Sequence, residues 1–360
     1  MKILHTEASC GWGGQEIRIL EEARGLIGRG HEVSIACPPN ARIAAEAPRF
    51  GVPVTTLPIE FKTFAGFAAL RRHIALQRPQ VVNTHSSADS WLAALACATL
   101  SQPPAIVRTR HISAPVSGNF ANRWLYRQAA AIVTTGQSLR GHLLERLALA
   151  PADVHSIPTG IDTGRFAPVE RGRAKAELGL DPAHRHIGIV ATLRSWKGHL
   201  FLLDAFVRIE RADLRLLLIG EGPMREPIQE RIAALGIGER VSLVGQRSDP
   251  ERWLPALDVF CLPSYANEGV PQAILQAMAC ALPIVTTPVG AILEAVADGE
   301  TALIVPPKDA DSLADAMARL LEDGELARRL GAAARERVGQ AYSLAAMLDR
   351  MVGVFGAVAE

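Results

Sequence analysis

Short apolar runs alternate with longer amphipathic segments along the whole chain of 360 residues. The runs are typical of strands buried on both faces, and the segments between them have the spacing of helices. In the first half, the predicted strands are Lys2–Glu7, His31–Cys37, Val52–Leu57, Gln80–Thr84, Ala105–Thr109, Ala131–Thr135 and Val154–Ile157. In the second half, they are His186–Thr192, Leu214–Ile219, Val241–Val244, Val259–Leu262, Pro283–Thr286 and Ala302–Val305. This alternation predicts an α/β protein with parallel sheets covered by helices on both faces.

The polar, glycine-containing stretch 159–172 interrupts the alternation and has no predicted buried element of its own. A chain of this length exceeds what one hydrophobic core usually supports, so we expect two domains with this stretch as the linker. The predicted domains are residues 1–166 and residues 167–342, both doubly wound. A final helix over residues 343–360 has no strand after it.

Composition narrows the class of protein. No run of about 18 apolar residues is present, and the first residues lead directly into a strand, so we expect a soluble cytoplasmic protein. The five cysteines lie singly in apolar surroundings without C-x-x-C spacing. This pattern favours reduced thiols over disulfides or metal ligands.

Charge is distributed unevenly. Residues 1–166 carry 17 Lys and Arg against 11 Asp and Glu, a net charge of +6, whereas the whole chain carries +1. A basic first half suits an anionic partner, such as a phosphorylated acceptor or an acidic membrane face. A solvated, arginine-rich surface without a partner explains the same bias.

An acidic residue and a turn precede the predicted helix Gln272–Cys280. The acidic residue is Glu268, and Pro271 falls near the first turn of the helix. Because proline has no N–H, Gly269 and Val270 are the backbone donors at this position. The positive end of the helix dipole favours an anion there, such as a diphosphate. Taken alone, Glu268 is equally consistent with a solvated carboxylate that the dipole favours.

The first strand of each half leads into residues suited to phosphate. In the first half it is followed by a glycine-rich turn with Gly13 and Gly14, where backbone amides can approach a phosphate closely. Its G-x-G-G spacing lacks the dinucleotide fingerprint G-x-G-x-x-G. In the second half Arg194 and Lys197 follow the strand, a guanidinium and an ammonium suited to neutralising a diphosphate. Exposed loop cations are the alternative interpretation.

Two histidines, His85 and His111, follow predicted strands of the first half. Ligands of α/β proteins bind at the carboxyl ends of the strands, so both side chains could reach a site there. A capping or core role for His85 is about as consistent with the sequence.

In their order along the chain, these pieces resemble the retaining, GT-B-fold glycosyltransferases of family 4, also called glycosyl transferases group 1. The stretch that begins at Glu268 resembles the E-x7-E signature, but Gln276 stands where the family carries its second Glu. The turn 13–16 resembles the GG-x-E loop. Residues 194–198 resemble the family's Arg and K-G motif, and matching pieces extend as far as Asp309.

The resemblance implies the GT-B fold: two doubly wound Rossmann-like domains facing each other across a cleft, with the final helix 343–360 returning to the first domain. It implies an acceptor-side first domain and a second domain that binds the nucleotide sugar. The implied reaction is retaining transfer of a sugar from a nucleotide diphosphate sugar to a glycan or lipid-linked acceptor, in bacterial cell-envelope polysaccharide or lipopolysaccharide synthesis. We expect a metal-independent hexosyltransferase without a cofactor or nucleic-acid partner, working at the inner face of the cytoplasmic membrane as a peripheral protein.

Residue roles follow from the same resemblance. His111 is expected near the reacting carbon of the transferred sugar, and His85 is a weaker candidate for contacts with acceptor or sugar. Gly13 and Gly14 are expected at the donor diphosphate or sugar.

In the second domain, the resemblance assigns Arg194 and Lys197 to the two phosphates and Glu268 to sugar hydroxyls. The N–H groups of Gly269 and Val270 add donors for the diphosphate. Arg247 belongs to the loop that reads the nucleobase through its backbone, and Gln276 is expected at the ribose, where an amide binds hydroxyls more weakly than a carboxylate does.

Other functions remain open on the sequence. The amide at Gln276 could mark a nucleotide-sugar-binding scaffold without turnover. A nucleotide-sugar epimerase or a phosphorylase uses the same two-domain fold.

Overall fold

The computed structural model describes residues 1–111 and 116–359, and these residues form two compact units. Unit 1 consists of Met1–Gly160 and the C-terminal helix, and unit 2 consists of Ile161–Ser343. The division falls six residues before the predicted boundary at 166. Ile161 and Phe166 lie in the hydrophobic core of unit 2, and the N–H of Ile161 donates to the carbonyl of Tyr342.

Unit 1 is built on a parallel sheet in the order β3-β2-β1-β4-β5-β6-β7. Its strands are β1 (Lys2–Thr6), β2 (Glu32–Cys37), β3 (Val54–Thr56), β4 (Val81–Thr84), β5 (Ala105–Arg110), β6 (Ala131–Thr134) and β7 (Val154–Ser156). The helices between them are α1 (Gly14–Gly28), α2 (Arg42–Glu46), α3 (Phe64–Gln77), α4 (Ser87–Ala98), α5 (Phe120–Arg127) and α6 (Gln137–Leu147).

Unit 2 has a second parallel sheet in the order β10-β9-β8-β11-β12-β13. Its strands are β8 (Arg185–Val190), β9 (Leu214–Ile219), β10 (Val241–Gly245), β11 (Val259–Leu262), β12 (Ile284–Thr286) and β13 (Leu303–Ile304). Its helices are α7 (Arg171–Glu177), α8 (His199–Arg208), α9 (Arg225–Ala234), α10 (Pro250–Trp253), α11 (Gln272–Ala279), α12 (Ile292–Ala295), α13 (Ala310–Glu322) and α14 (Gly324–Ala341). The predicted α/β class with parallel sheets is confirmed.

Each sheet contains one point at which the strand order reverses. It lies between β1 and β4 in unit 1 and between β8 and β11 in unit 2. On either side of such a point the connections leave toward opposite faces, so a crevice opens at the carboxyl ends of the two strands. The glycine-rich turn and His85 follow β1 and β4, and Lys197 and Glu268 follow β8 and β11.

The last helix, α15 (Leu344–Ala359), packs against α1 of unit 1. Its apolar face, with Met351 and Phe355, shares a core with Ile19 of α1. The helices approach closely at Gly25, where a Cβ would lie 2.3 Å from Leu348 Cδ1. Within the described ranges, none of the helices combines the length and apolar composition needed to cross a membrane.

Helix α7 is absent from the sequence prediction, which placed residues up to 172 in a linker. Its sequence is almost entirely charged or small and lacks an apolar stripe. The helix is capped by Glu170, whose carboxylate accepts from the N–H groups of Gly172 and Arg173. It is anchored by buried Lys175, whose ammonium lies 3.0 Å from the Asp258 carboxylate. An ion pair therefore fixes an element that hydrophobic periodicity cannot detect.

Candidate functional sites in the two units

An ion pair between Lys197 and Glu268 lies at the carboxyl edge of the sheet of unit 2. The two residues follow β8 and β11, which pair side by side. Lys197 Nζ lies 2.6 Å from Glu268 Oε1, and the Ser264 hydroxyl donates to the same oxygen at 2.5 Å. The Glu268 side chain is 5% exposed and that of Lys197 is 17% exposed. The structure thus brings two sequence-predicted residues into contact, with Ser264 orienting the carboxylate.

Two glycines with left-handed backbone angles hold this pair in place. Gly290 has a φ of 62°, and a Cβ there would lie 2.0 Å from the carbonyl oxygen of Glu268. Gly198, directly after Lys197, has a φ of 77°, and its Cβ would lie 2.0 Å from the carbonyl oxygen of Pro263. A side chain at either position would displace the backbone, so both positions require glycine.

Helix α11 begins beside this pair. Pro271 precedes the first residue of α11 in an extended conformation, and no side chain of residues 1–111 or 116–359 caps the N-terminus of the helix by a hydrogen bond. Gly269 is half-buried and Val270 is buried immediately before the helix. Gln276 lies in the second turn and is half-buried. Its contact with a ribose stays a prediction.

Two arginines, Arg194 and Arg247, are predicted at the donor site, and their surroundings differ. Arg194 is exposed, with its guanidinium carbon 5.7 Å from the centre of the Trp196 ring. Arg247 forms two hydrogen bonds to Asp249, at 2.9 and 3.0 Å. These bonds raise the pKa of Arg247 and lower that of Asp249. Arg194 is therefore more readily available to a ligand than Arg247, whose fork is occupied by a carboxylate.

A cavity of about 450 Å³ in unit 1 brings together the predicted residues of that unit. Gly13 and Gly14 border it at the start of α1, His85 at the end of β4, and His111 at the end of β5. The remaining lining residues are Ser9, Trp12, Gln15, Glu16, Ser86, Ser87, Arg108, Thr109 and Arg110.

His111 is the outer member of a hydrogen-bonded row of histidines. His85 Nδ1 lies 2.9 Å from His111 Nε2, and His85 Nε2 lies 2.9 Å from His5 Nδ1. Burial lowers the pKa of His5 to about 3 and holds the pKa values of His85 and His111 well below their usual range. The charge of Arg18 acts in the same direction. The three rings are therefore neutral at physiological pH.

In a neutral row both links run in the same donor direction, and that direction decides which nitrogen of His111 carries the proton. His5 Nε2 is buried and has no hydrogen-bond partner among the described residues. An orphaned buried acceptor is tolerated better than an orphaned N–H, so we infer that His5 donates to His85 from Nδ1. His85 in turn donates from Nδ1 to His111 Nε2. On this inference His111, whose Nε2 accepts, carries its N–H on Nδ1.

Two buried carboxyl groups that the sequence analysis missed lie behind this cavity. Glu7 accepts from the N–H of Ser9 at 2.7 Å and from the side chains of Gln15 and Ser86. Burial, followed by the charge of Asp89, raises the pKa of Glu7 to about 8. Burial also raises the pKa of Asp89 to about 6. The Ser86-x-x-Asp89 capping box was readable in the sequence, but the contact between Glu7 and Ser86 joins residues that lie 79 positions apart in the chain.

Asp89 orders the end of β4 and the start of α4. Its carboxylate accepts from the N–H groups of His85 and Ser86, both at 2.9 Å, and from the Thr6 hydroxyl at 2.8 Å. His85 is therefore held by its backbone as well as by its ring. Across residues 1–111 and 116–359, no group of three or more His, Cys, Asp and Glu side chains is placed to hold a metal ion.

Family models match both halves of the chain. The one described as Glycosyltransferase Family 4 matches residues 12–165, and the one described as Glycosyl transferases group 1 matches residues 170–337.

Curated relatives match mainly over part of their length. An MMP alpha-(1->4)-mannosyltransferase from Mycolicibacterium hassiacum is 33% identical over 234 residues, covering 64% of this chain and 54% of the relative. The lipopolysaccharide core biosynthesis mannosyltransferase LpsB from Rhizobium meliloti is 33% identical over 214 residues, covering 56% of this chain and 58% of the relative. The matched part of the chain therefore spans little more than half the length of these relatives.

A solved structure matches over the whole chain. Anabaena Alr3699/HepE in complex with UDP-glucose is 18% identical, with a TM-score of 0.85 over 99% of this chain and 100% of that chain. At this identity the likeness shows the fold, which is GT-B. With both halves matched in order by their family models, the chain belongs to glycosyltransferase family 4, the glycosyl transferases group 1.

Proposed function

We propose that the protein is a retaining glycosyltransferase that moves a hexose-type sugar from a nucleotide diphosphate sugar to an acceptor hydroxyl. The observation that carries the proposal is the contact between Lys197 and Glu268 at the switch point of unit 2, beside the N-terminus of α11. At this edge of the sheet, a cation and a helix N-terminus can bind a phosphate group, and a carboxylate can accept hydrogen bonds from the hydroxyls of a sugar joined to it. The mannosyltransferase names of the relatives support the same class of reaction.

In the proposed mechanism, unit 2 holds the donor. Lys197 exchanges its contact with Glu268 for the diphosphate, and the carboxylate is then free to accept hydrogen bonds from sugar hydroxyls. Arg194 and the N–H groups of Gly269 and Val270 take up further charge as the diphosphate leaves. In this scheme protein cations and a helix N-terminus stabilise the leaving group, so it requires no metal ion or cofactor.

Unit 2 also carries the proposed nucleotide contacts. Gln276 binds the ribose through its amide, and the loop of Arg247 reads the base through its backbone. The complex of Alr3699/HepE with UDP-glucose supports a nucleotide sugar as the donor.

Unit 1 contributes contacts to the sugar and the acceptor. His111, with its N–H on Nδ1, donates to the transferred sugar near its reacting carbon. His85 acts through His111 by fixing its ring and its proton, and Gly13 and Gly14 approach the diphosphate or sugar. The neutral state of the histidine row suits hydrogen bonding and not charge neutralisation.

The proposed acceptor is a glycan or lipid-linked saccharide of the bacterial cell envelope, at the inner face of the cytoplasmic membrane. The name of LpsB supports a lipopolysaccharide acceptor. Large aromatic side chains of unit 1 are exposed: Phe61 by 67%, Phe64 by 81% and Phe120 by 85%. Together with nearby Lys62 and Arg127 they favour peripheral contact with an anionic membrane.

A donor panel tests the proposal. UDP-, GDP- and ADP-sugars are added to the purified protein, and the unfolding temperature is recorded for wild type and Lys197→Ala. We expect one nucleotide family to raise the unfolding temperature of wild type and to lose most of this effect in Lys197→Ala. Stabilisation by none of them would overturn the donor assignment.

Turnover separates the transferase from the alternatives. A scaffold would bind the donor without consuming it in the presence of any acceptor in a panel. An epimerase would convert the nucleotide sugar without an acceptor. Transfer to an acceptor, lost in Glu268→Ala, is the result expected of a transferase.

A further inference from the structure

Arg108 is a buried arginine with unsatisfied N–H groups. It lies on β5 and is 6% exposed. Its Nε and Nη1 are buried without a hydrogen-bond partner in the part of the chain that the structure describes. The guanidinium carbon lies 4.5 Å from the centre of the Tyr126 ring. Stacking of this kind occupies the face of a guanidinium and leaves its N–H groups unpaired.

Unpaired N–H groups on a buried charge are costly, so their presence requires an explanation. Arg108 lines the cavity of unit 1 together with Arg110 and the first residues of α1. The planar fork of a guanidinium matches two oxygens of a phosphate or carboxylate. The positive end of the α1 dipole favours the same charge. An oxyanion in the cavity would satisfy Arg108.

The acidic groups around the cavity do not exclude an anion. Glu16 lines the cavity, but Arg108 and Arg110 outweigh its charge. Glu7 is mainly protonated at neutral pH because its pKa is raised to about 8. Asp89 is the remaining negative charge. Burial raises its pKa and the charge of Arg108 opposes that rise, but its carboxylate accepts hydrogen bonds from a hydroxyl and two backbone N–H groups.

We propose that Arg108 forms an oxyanion-binding subsite in the cavity of unit 1, which takes a phosphate or carboxylate group of a substrate. The identity of that substrate rests on the proposed function: the group belongs either to an acidic acceptor or to the diphosphate of the donor. The subsite itself requires only the geometry of unit 1.

Inorganic phosphate is the first probe. The imidazole NMR signals of His85 and His111, which line the same cavity, are followed as phosphate is added to the full-length protein. We expect saturable shifts in wild type and an affinity at least about tenfold weaker in Arg108→Gln. Arg123→Gln, the same change at an exposed arginine of α5, is the matched control and should bind phosphate like wild type. Equal phosphate affinity in wild type and Arg108→Gln, or no saturable shift in wild type, would overturn the subsite.

Arg108→Lys keeps the test decisive if Arg108→Gln does not fold. Lysine preserves the charge over Tyr126 but loses the planar fork, so phosphate affinity should fall at least about threefold. Unchanged phosphate affinity in a folded Arg108→Lys protein would contradict bidentate binding.

Nucleotides distinguish the two sources of the oxyanion. A loss of about tenfold in UDP or GDP affinity in Arg108→Gln assigns the subsite to the donor diphosphate. Unchanged nucleotide affinity beside weakened phosphate binding assigns it to an acidic acceptor. If the protein binds phosphate through Arg108 but has no transferase activity, the subsite is supported and the proposed function is wrong.

Discussion

Lys197→Met removes the cation from a nearly buried ion pair, and its effect on stability can be worked from the contacts. The variant leaves the Glu268 carboxylate, 5% exposed, with the Ser264 hydroxyl as its remaining side-chain partner among the described residues. Breaking a fully buried pair costs about 3–5 kcal/mol, and the 17% exposure of Lys197 places this case at the lower end. We therefore expect a loss of about 3 kcal/mol in the free energy of unfolding of unit 2.

Urea denaturation measures this loss, in a cycle with Glu268→Gln and the double variant. The double variant leaves no unpaired charge, so it should be more stable than the sum of the single effects by at least about 1 kcal/mol. Lys308→Met is the matched control in unit 2. Lys308 is exposed and lies 4.7 Å from the centre of the Tyr265 ring, a contact that contributes no more than about 1 kcal/mol.

A loss below about 1 kcal/mol for Lys197→Met, or purely additive effects in the cycle, would refute this reasoning. Such a result would mean that water stabilises the Glu268 carboxylate to the same extent as the Lys197 ammonium does. The pair could then not hold the carboxylate in place for a donor.

Further predictions concern the backbone, the histidine row and the ribose contact. In Gly290→Ala the new Cβ would lie 2.0 Å from the carbonyl oxygen of Glu268. Gly299→Ala is the control, because φ is similarly positive at 68° but no described atom lies within 4 Å of its Cβ. In urea denaturation, Gly290→Ala should lose at least about 2 kcal/mol more free energy of unfolding than Gly299→Ala. Since the pKa of His5 is about 3 in the fold and about 6.5 when unfolded, stability is full above pH 6.5 and falls as the pH drops below it. In His5→Gln, the free energy of unfolding should therefore differ less between pH 7 and pH 5 than in wild type, by up to about 2 kcal/mol in urea titrations. An unchanged difference would contradict a neutral His5 in the folded protein. Gln276→Glu should leave donor affinity unchanged or tighten it in calorimetry, whereas abolished binding would indicate a pocket built around the amide.

The strands were within reach of the sequence because buried parallel strands are nearly continuous apolar runs. Lys197 was predicted after the first strand of the second half and Glu268 in the turn before a helix, and the structure has them in the segments that follow β8 and β11. Their direct contact could not be inferred, since it depends on which strands are neighbours. Ser264 was missed because nothing in its local sequence marks it as the residue that orients Glu268.

The cavity of unit 1 also contains contacts that the sequence alone could not predict. Glu7 is the last residue of a predicted strand, yet its raised pKa depends on burial and on Asp89, which belongs to another element. His85 was an ambiguous position in the sequence, and the structure gives it the central place between His5 and His111. Local patterns locate such residues at an edge, and tertiary packing decides what each one touches.

Product analysis tests the central claim most directly. The purified protein is incubated with the nucleotide sugar found in the donor panel and an acceptor, and the anomeric configuration of the product is read by proton NMR. The proposed function predicts a product that retains the configuration of the donor, with turnover reduced at least about a hundredfold in Glu268→Ala. An inverted product, or undiminished turnover in Glu268→Ala, would contradict it.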